Sequence, residues 1–573
     1  MKPHLALLTV LLLALPVAAA DDEALRARLQ VEIPKLMQAA DVPGLSIGVI
    51  RDGRLFWSGA FGVRSVSSGT PVGKDTVCPA ASLSKPVVAY VTLRLADRGV
   101  LDLDKPLRTY LPYERLQHDP RGQRITARNV LSHTTGLPNW GPEKLPFNAD
   151  PGERFGYSGE GFVYLQKILE KLTGMPLEAL AKKEVFEPLG MTRSSFVWET
   201  SFAGGAVTGM DPFGRPQEIP TDRGANAAAS LLTTAEDYAR FLVAVLNGEG
   251  LQKKTAEAML SSQVRIPGEL FDPKSAPGEG EVGWALGWGL ERGGPAEPFW
   301  IWHWGDNGGF RAWTTASREK KAGVVYFTNT AEGLSIAEAV SSLAVGTAQP
   351  GFGRLGYERY DDPRRIARKD IQRAFARDGS EAGLRRYREL AGKSPDLFDA
   401  DLHRNLAEFL RETGKPADAF AVLKLYGEAR PCSAEAHDLL GEAALEGGDY
   451  ELALASYGKA RELSSEAPDR KREIGWAREA SEALNKPVAV PAETLERYAG
   501  SYSPRRILLE GGRLFYQREG RPKYRLLPLS QDTFLLEGMG SFRVHFVQDG
   551  NGRVTKLVGL YADGQEDESP RDP

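Results

Sequence analysis

The chain is 573 residues long, 42% hydrophobic and 26% charged. That is the make-up of a soluble protein with room for roughly two to four domains. A formal net charge of −4 gives no sign of the overall basic balance expected of a nucleic-acid or anionic-membrane binder. Two cysteines, Cys78 and Cys432, supply neither a disulfide framework nor a metal cluster, and the seven histidines contain no two-histidine metal motif.

Residues 1–20 read as a secretory signal peptide. Lys2 provides the charged start, residues 5–15 an apolar core, and Ala18-Ala19-Ala20 a small-residue cleavage site. The apolar run is short for a membrane span, and no later run approaches that length. The expectation is cleavage after Ala20, a periplasmic or secreted protein, and no membrane span after cleavage.

Apolar residues at helical spacing predict a helix over 22–36, with Leu25, Leu29, Ile33 and Leu36 on one face. Two apolar runs, 44–50 and 55–63, flank the turn Arg51-Asp52-Gly53-Arg54 and read as a β-hairpin. Next comes Ala80-Ala81-Ser82-Leu83-Ser84-Lys85-Pro86, then an amphipathic run over 87–97. Read as loop into helix, this puts Ser82 at the helix entrance and Lys85 three residues on, on the same face. A nucleophilic serine needs a proton acceptor at that reach, and helix N-terminal N–H groups favour negative charge on a reacting carbonyl oxygen. Helix, hairpin and second helix together predict an α+β layout, an antiparallel sheet with flanking helices. Ser-x-x-Lys recurs at Ser317/Lys320, in a polar turn, and at Ser456/Lys459, on a later helix. Neither recurrence has the company of the first.

That company follows in order: Leu131-Ser132-His133-Thr134-Thr135-Gly136-Leu137-Pro138, then Pro151-Gly152-Glu153-Arg154-Phe155-Gly156-Tyr157-Ser158-Gly159. A helix is expected within 226–246, opening on a Thr233-to-Glu236 capping box, and the last of the series is His303-Trp304-Gly305-Asp306-Asn307-Gly308-Gly309-Phe310. His133 reads as a hydrogen-bonded structural histidine. Over 299–305 an alternating strand puts Phe299, Ile301, His303 and Gly305 on one face and Trp300, Trp302 and Trp304 on the other. Gly305, Gly308 and Gly309 suit a backbone that a substrate approaches closely.

From about 45 to 350 this series resembles the serine hydrolases related to class C β-lactamases and penicillin-binding proteins. The resemblance implies acyl transfer through an acyl-enzyme on Ser82, with Lys85 and Tyr157 as alternative bases. A phenol beside an ammonium would have its pKa lowered, and the two would titrate as a coupled pair. It also implies an oxyanion hole from the backbone N–H groups of Ser82 and Asp306, with His303 lining the site and serving the leaving group. Gly159 stands where these proteins usually carry an asparagine that binds a substrate amide. His303 stands where many carry a lysine. Both departures favour small esters over β-lactams and D-alanyl peptides, with Arg311 a remaining candidate anchor for a substrate carboxylate. No cofactor is implied.

A strand over 322–327 and a helix over 334–345 close the hydrolase domain, 21–350, and 351–364 reads as a linker. Over 365–487 a 34-residue period matches Leu406-Ala407, Ala419 and Pro431 with Leu440-Gly441, Ala453 and Ser465, and resembles tetratricopeptide repeats. Such repeats imply a protein partner. Two full copies are too few to stand alone, so they should lean on a neighbour. The stretch 490–565 alternates strands and turns and resembles the small lipocalin-like β domains appended to this family, and residues 564–573 are expected to fray. The reading is therefore an exported serine hydrolase of esterase type on a small-molecule or peptide acyl substrate. The alternatives are a β-lactamase or D-alanyl carboxypeptidase, and a non-catalytic exported scaffold that works through its repeats.

Overall fold

A computed structural model describes residues 17–271, 280–347, 351–519, 521–562 and 564–572. The signal-peptide reading of 1–20 lies outside them, except for the backbone of 17–20. That backbone belongs to a helix, Val17–Ala40, longer at both ends than the one expected at 22–36. The chain divides into two units, Met1–Asp362 and Pro363–Pro573.

The first unit is built on an antiparallel sheet with, among the described residues, nine strands. Their spatial order is Thr70–Pro71, Arg54–Ser65, Gly44–Arg51, Ala322–Thr328, Arg311–Ser317, Trp300–Asp306, Gly289–Arg292, Glu281–Trp284 and Val264–Arg265. The first long strand therefore pairs with the last, Ile47 opposite Tyr326. Both are buried on both faces and read as nearly continuous apolar runs, as central strands covered on each side must. On one face, Leu29, Ile33 and Met37 of the N-terminal helix and Val340 of Ala337–Val345 pack on Ile47 and Val49. On the other lies Ala235–Asn247, close enough at Gly48 that a Cβ there would stand 2.8 Å from that of Ala239. This helix is capped by Thr234, whose hydroxyl accepts from the Asp237 N–H at 3.1 Å, one residue later than the capping box expected at Thr233. The alternation expected at 299–305 is present, with Ile301 in the core on the Ala235–Asn247 side and Trp302 and Trp304 in the opposite one.

Residues 351–362, read as linker, pack on this unit. Phe352 is buried with its ring 5.7 Å from that of Trp313, Arg354 donates to the Pro267 carbonyl at 2.8 Å, and the Tyr360 N–H donates to Ser335 at 3.0 Å. Residues 363–364 already belong to the next helix, Pro363–Asp378.

In the second unit successive helices pair as hairpins: Pro363–Asp378 with Ser380–Lys393, Ala400–Glu412 with Pro416–Ala429, and Ala434–Gly447 with Tyr450–Leu463. Small residues sit at the crossings, Gly441 facing the Tyr457 ring at 2.7 Å from an ideal Cβ. An all-β domain follows, a near-barrel sheet of eight strands among the described residues, in chain order from Gly500–Tyr502 to Glu566–Pro570. The helices do lean on it. Leu535 joins the core of Ala444, Leu445, Tyr457 and Ala477, and Arg543 reaches Glu479 at 2.5 Å and the Trp476 carbonyl at 2.8 Å. The expected fraying beyond 564 is corrected. Glu566–Pro570 pairs with Val554–Tyr561, Asp567 accepts from the buried Arg505 at 2.5 Å, and the Asp572 N–H donates to Ser501 at 2.9 Å.

Candidate active site

The site forms where a tight turn meets a helix end. Cys78–Ala81 is a short strand paired with Leu231–Thr233, and Ser84–Asp97 is the helix that follows. At the end of that strand Ala81 adopts φ +49°, a left-handed conformation unusual for a residue with a side chain. Local hydrogen bonds hold it. The Ser84 hydroxyl donates to the Ala81 carbonyl at 2.6 Å and accepts from the Leu231 N–H at 2.9 Å, and the Tyr238 hydroxyl donates to the Leu83 carbonyl at 3.1 Å. The turn therefore projects Ser82 outward from a rigid base.

Lys85 is buried beneath it. Its Nζ donates to Ser82 Oγ at 3.1 Å and to the Ala228 carbonyl at 2.8 Å, and lies 4.8 Å from the ring centroid of Tyr157 and 5.8 Å from that of Phe162. Neither ring neutralises it, and burial brings its pKa down from 10.5 to about 7. Ala228 is held in turn by Asn226, whose side chain accepts the Ala228 N–H at 2.8 Å. The sequence signal for this contribution is the Asn-Ala-Ala-Ala-Ser turn at 226–230, which carries no reacting group of its own.

Tyr157 is buried with its hydroxyl beside Ser82 but without an aligned hydrogen bond among the described residues. Burial holds its pKa well above the usual phenol value, the contact with Ser82 lowers it in part, and the Asp306 carboxylate raises it further. The expected lowering by a neighbouring ammonium is thus corrected to a rise, of which burial is the largest cause and in which Lys85 has no part. His133, at φ +52°, accepts the Ser158 N–H on Nδ1 at 3.1 Å, and its ring lies 4.3 Å from that of Tyr157. It is neutral, held well below the usual imidazole pKa by burial first and by Lys85 and His303 next, and it seats the tyrosine.

The strand Trp300–Asp306 forms the opposite wall. His303 is fully buried. Its Nδ1–H donates to the Trp304 carbonyl at 2.8 Å, which leaves Nε2 an acceptor without a partner among the described residues. Burial, with a smaller contribution from Lys85, takes its pKa to about 3, so it carries no charge at neutral pH. At Gly305 a Cβ would collide with the Ala80 carbonyl oxygen, and only glycine lets the strand end run this close to the Ser82 turn. The contact lies two residues before Ser82 and one before Asp306, the backbone donors that the resemblance implied. The Asp306 carboxylate is ion-paired with Arg311 and accepts from the Tyr357 hydroxyl at 2.6 Å. Arg311 is buried, and its Nε also donates to the Ala331 carbonyl at 3.2 Å. The guanidinium read as a carboxylate anchor is committed to Asp306, and Tyr357 comes from the segment read as linker.

Gly159 opens the helix Gly159–Thr173, capped by Ser158. A Cβ at Gly159 would lie 2.8 Å from the Trp140 indole, so Trp140 occupies the direction an asparagine side chain would take. The other Ser-x-x-Lys pairs are not sites: Ser317 is buried at a strand end, and Lys459 pairs with Glu462 at 3.1 Å. A cavity of about 500 Å³ adjoins the site where Asn307 donates to the Ala229 carbonyl at 3.1 Å, and its walls include Phe196, Trp198, Ile219 and Phe310. Among the described residues no cluster of His, Cys, Asp and Glu is arranged to hold a metal ion, and no helix is long and apolar enough to cross a membrane.

Residues 30–345 match the protein family described as Beta-lactamase. Among curated proteins the chain is similar to Esterase EstB of Burkholderia gladioli, 30% identical over 207 residues, covering 31% of this chain and 53% of that protein. It is also similar to Penicillin-binding protein 4* of Bacillus subtilis (strain 168), 28% identical over 165 residues, covering 25% and 35%. The chain thus spans about half the length, or less, of these relatives. Among solved structures, the octameric penicillin-binding protein homologue from Pyrococcus abyssi superposes with a TM-score of 0.49 at 19% identity, over 94% of this chain and 96% of that one. A class C β-lactamase superposes with a TM-score of 0.48 at 20% identity, over 57% and 98%.

Proposed function

The chain belongs to the beta-lactamase family, and on that premise we propose that it is an exported serine hydrolase that cleaves carboxylic esters through an acyl-enzyme on Ser82. The observation that carries this reading is the Lys85–Ser82 contact of 3.1 Å, with burial holding Lys85 near neutrality. A free amine at that distance takes the Ser82 proton as Oγ attacks the ester carbonyl. The carbonyl oxygen becomes an oxyanion between the Ser82 and Asp306 N–H groups. As the bond to the alcohol oxygen breaks, the Tyr157 hydroxyl gives that oxygen its proton, and Lys85 returns to Tyr157 the proton it took from Ser82. Water, deprotonated by the same pair, then releases the acid and restores Ser82.

Three features support esters over β-lactams and D-alanyl peptides: Gly159 without an amide partner, His303 without charge, and Arg311 committed to Asp306. A charge-assisted anchor contributes about 1.5–3 kcal/mol, so its absence costs an anionic substrate roughly tenfold or more. The leader-like residues 1–20 support export. The test is a fluorophosphonate adduct located by mass spectrometry, together with turnover of neutral esters and a penicillin by the unmodified protein and Ser82→Ala. An adduct on Ser82, ester turnover lost in the variant and poor penicillin hydrolysis are expected. An adduct elsewhere, or efficient penicillin hydrolysis, overturns the reading.

A further inference from the structure

We propose that Trp140 and Phe271 clasp the alcohol portion of the ester, and that the preferred substrate carries a flat, apolar, aromatic group there. The proposal rests on the Ser82 hydrolase reading. Among the described residues these two are the only Trp, Phe or Tyr side chains that stand exposed, each at 53%, while every other one is buried or half-buried. Both stand next to the Tyr157 segment, Phe271 against the Tyr157 ring and Trp140 against the backbone two residues on. Phe271 meets the Tyr157 and Trp304 rings edge to face, with centroids 5.9 Å away in each case. Trp140 covers the bare backbone of Gly159, two residues further along.

Trp140 is exposed but not loosely held. The Gly159 N–H donates to Asn139 Oδ1 at 3.0 Å, the Glu160 N–H to the Asn139 carbonyl at 3.1 Å, and the Gly141 N–H to Glu160 Oε1 at 3.1 Å. Arg115 closes the arrangement with a 2.6 Å ion pair to Glu160 and donations to the Gly141 and Pro142 carbonyls at 3.0 and 2.8 Å. A large apolar ring is thus fixed in water on an ordered backbone, beside a catalytic group. That is the construction of a preorganised binding face and not of a core.

The alcohol side follows from the chemistry. The leaving oxygen must reach the proton donor, so the alcohol lies towards Tyr157 and hence between these two rings. The acyl group lies towards the cavity at Ala229 and Asn307, whose walls include neither ring. Aromatic faces and edges of this kind favour a flat ring in the gap.

The experiment uses the full-length protein with two acetates, 2-naphthylmethyl acetate and ethyl acetate, whose alcohols are similarly basic and which pass through the same acetyl-enzyme. The quantity read is the ratio of their kcat/KM values. In Trp140→Ala and in Phe271→Ala that ratio is expected to fall about tenfold, and further in the double variant, while Trp140→Phe keeps most of it. With acetyl release common to both esters, the change falls on acylation and leaves the pH profile in place. An unchanged ratio in both alanine variants, including equal losses on both esters, overturns the proposal. Failure of the underlying reading looks different: Ser82→Ala retains turnover, or the fluorophosphonate adduct forms elsewhere.

Discussion

Lys85 owes its basicity to burial, which brings its pKa to about 7 beside Ser82 Oγ. Ser82 and Lys85 lie three residues apart in the chain, so a local pattern finds them. The burial that makes Lys85 a base comes from Tyr157, Phe162 and Ala228, which are 72 to 143 residues distant and carry no sign in the sequence that they pack on it. The pH profile tests this directly. Only the free amine accepts the Ser82 proton, so kcat/KM for a neutral ester should rise about tenfold per pH unit below pH 7, then level as Lys85 loses its proton near pH 7. Lys85→Arg keeps a cation at all pH values and should cost about 10²–10⁴ in kcat/KM, with no recovery on raising the pH. A profile flat from pH 5 to 9 would sink the assignment. Stability carries the matching sign. The folded pKa lies below the unfolded one of 10.5, so between about pH 7 and 10.5 the unfolded chain binds more protons and Lys85 makes folding more favourable as the pH rises. Below about pH 7 its full penalty stands.

Elements read well where one period dominates and poorly where partners come from elsewhere. The alternation at 299–305 predicted both faces of the strand Trp300–Asp306 because side-chain direction in a strand is a local property. The roles of Asp306 and Arg311 were not local, because Arg311 sits on the adjacent strand, directly opposite Asp306, and Tyr357 arrives 51 residues later. The ion pair ties two strands and the 351–362 segment together, and this yields a prediction. Arg311→Met leaves the Asp306 carboxylate with the neutral Tyr357 hydroxyl and Gly308 N–H but no counter-charge, and urea unfolding should show a loss on the order of 2–3 kcal/mol, discounted for the partial exposure of Asp306. Adding Asp306→Asn should return part of that loss, since the double variant leaves no unpaired charge. If Arg311 served a substrate carboxylate instead, Arg311→Met would raise KM for anionic substrates and leave the unfolding midpoint in place.

At the scale of the whole chain, the change of character near residue 350 marked a boundary but misplaced its end. Gly and Pro at 350–353 are the composition of a linker, yet they surround Phe352, and one buried aromatic decides where a segment belongs. Phe352 packs on Trp313, Leu355 enters the same core, Arg354 bonds to Pro267 and Tyr357 to Asp306. Losing a buried Phe alone costs about 3–5 kcal/mol. A fragment of residues 21–362 should therefore fold cooperatively and keep most turnover on a small ester. One of residues 21–350 should melt more than about 5 °C lower, because even 2–4 °C per kcal/mol turns that loss into a clear shift. The shorter fragment should also lose turnover beyond what its lower stability explains, as Asp306 loses its Tyr357 donor next to the oxyanion strand. Calorimetry of the two fragments alongside the full chain separates the cases. Equal melting and equal turnover for 21–350 and 21–362 would mean that residues 351–362 contribute nothing to the first unit, whereas inactivity of 21–362 would mean that the second unit is needed to complete the site.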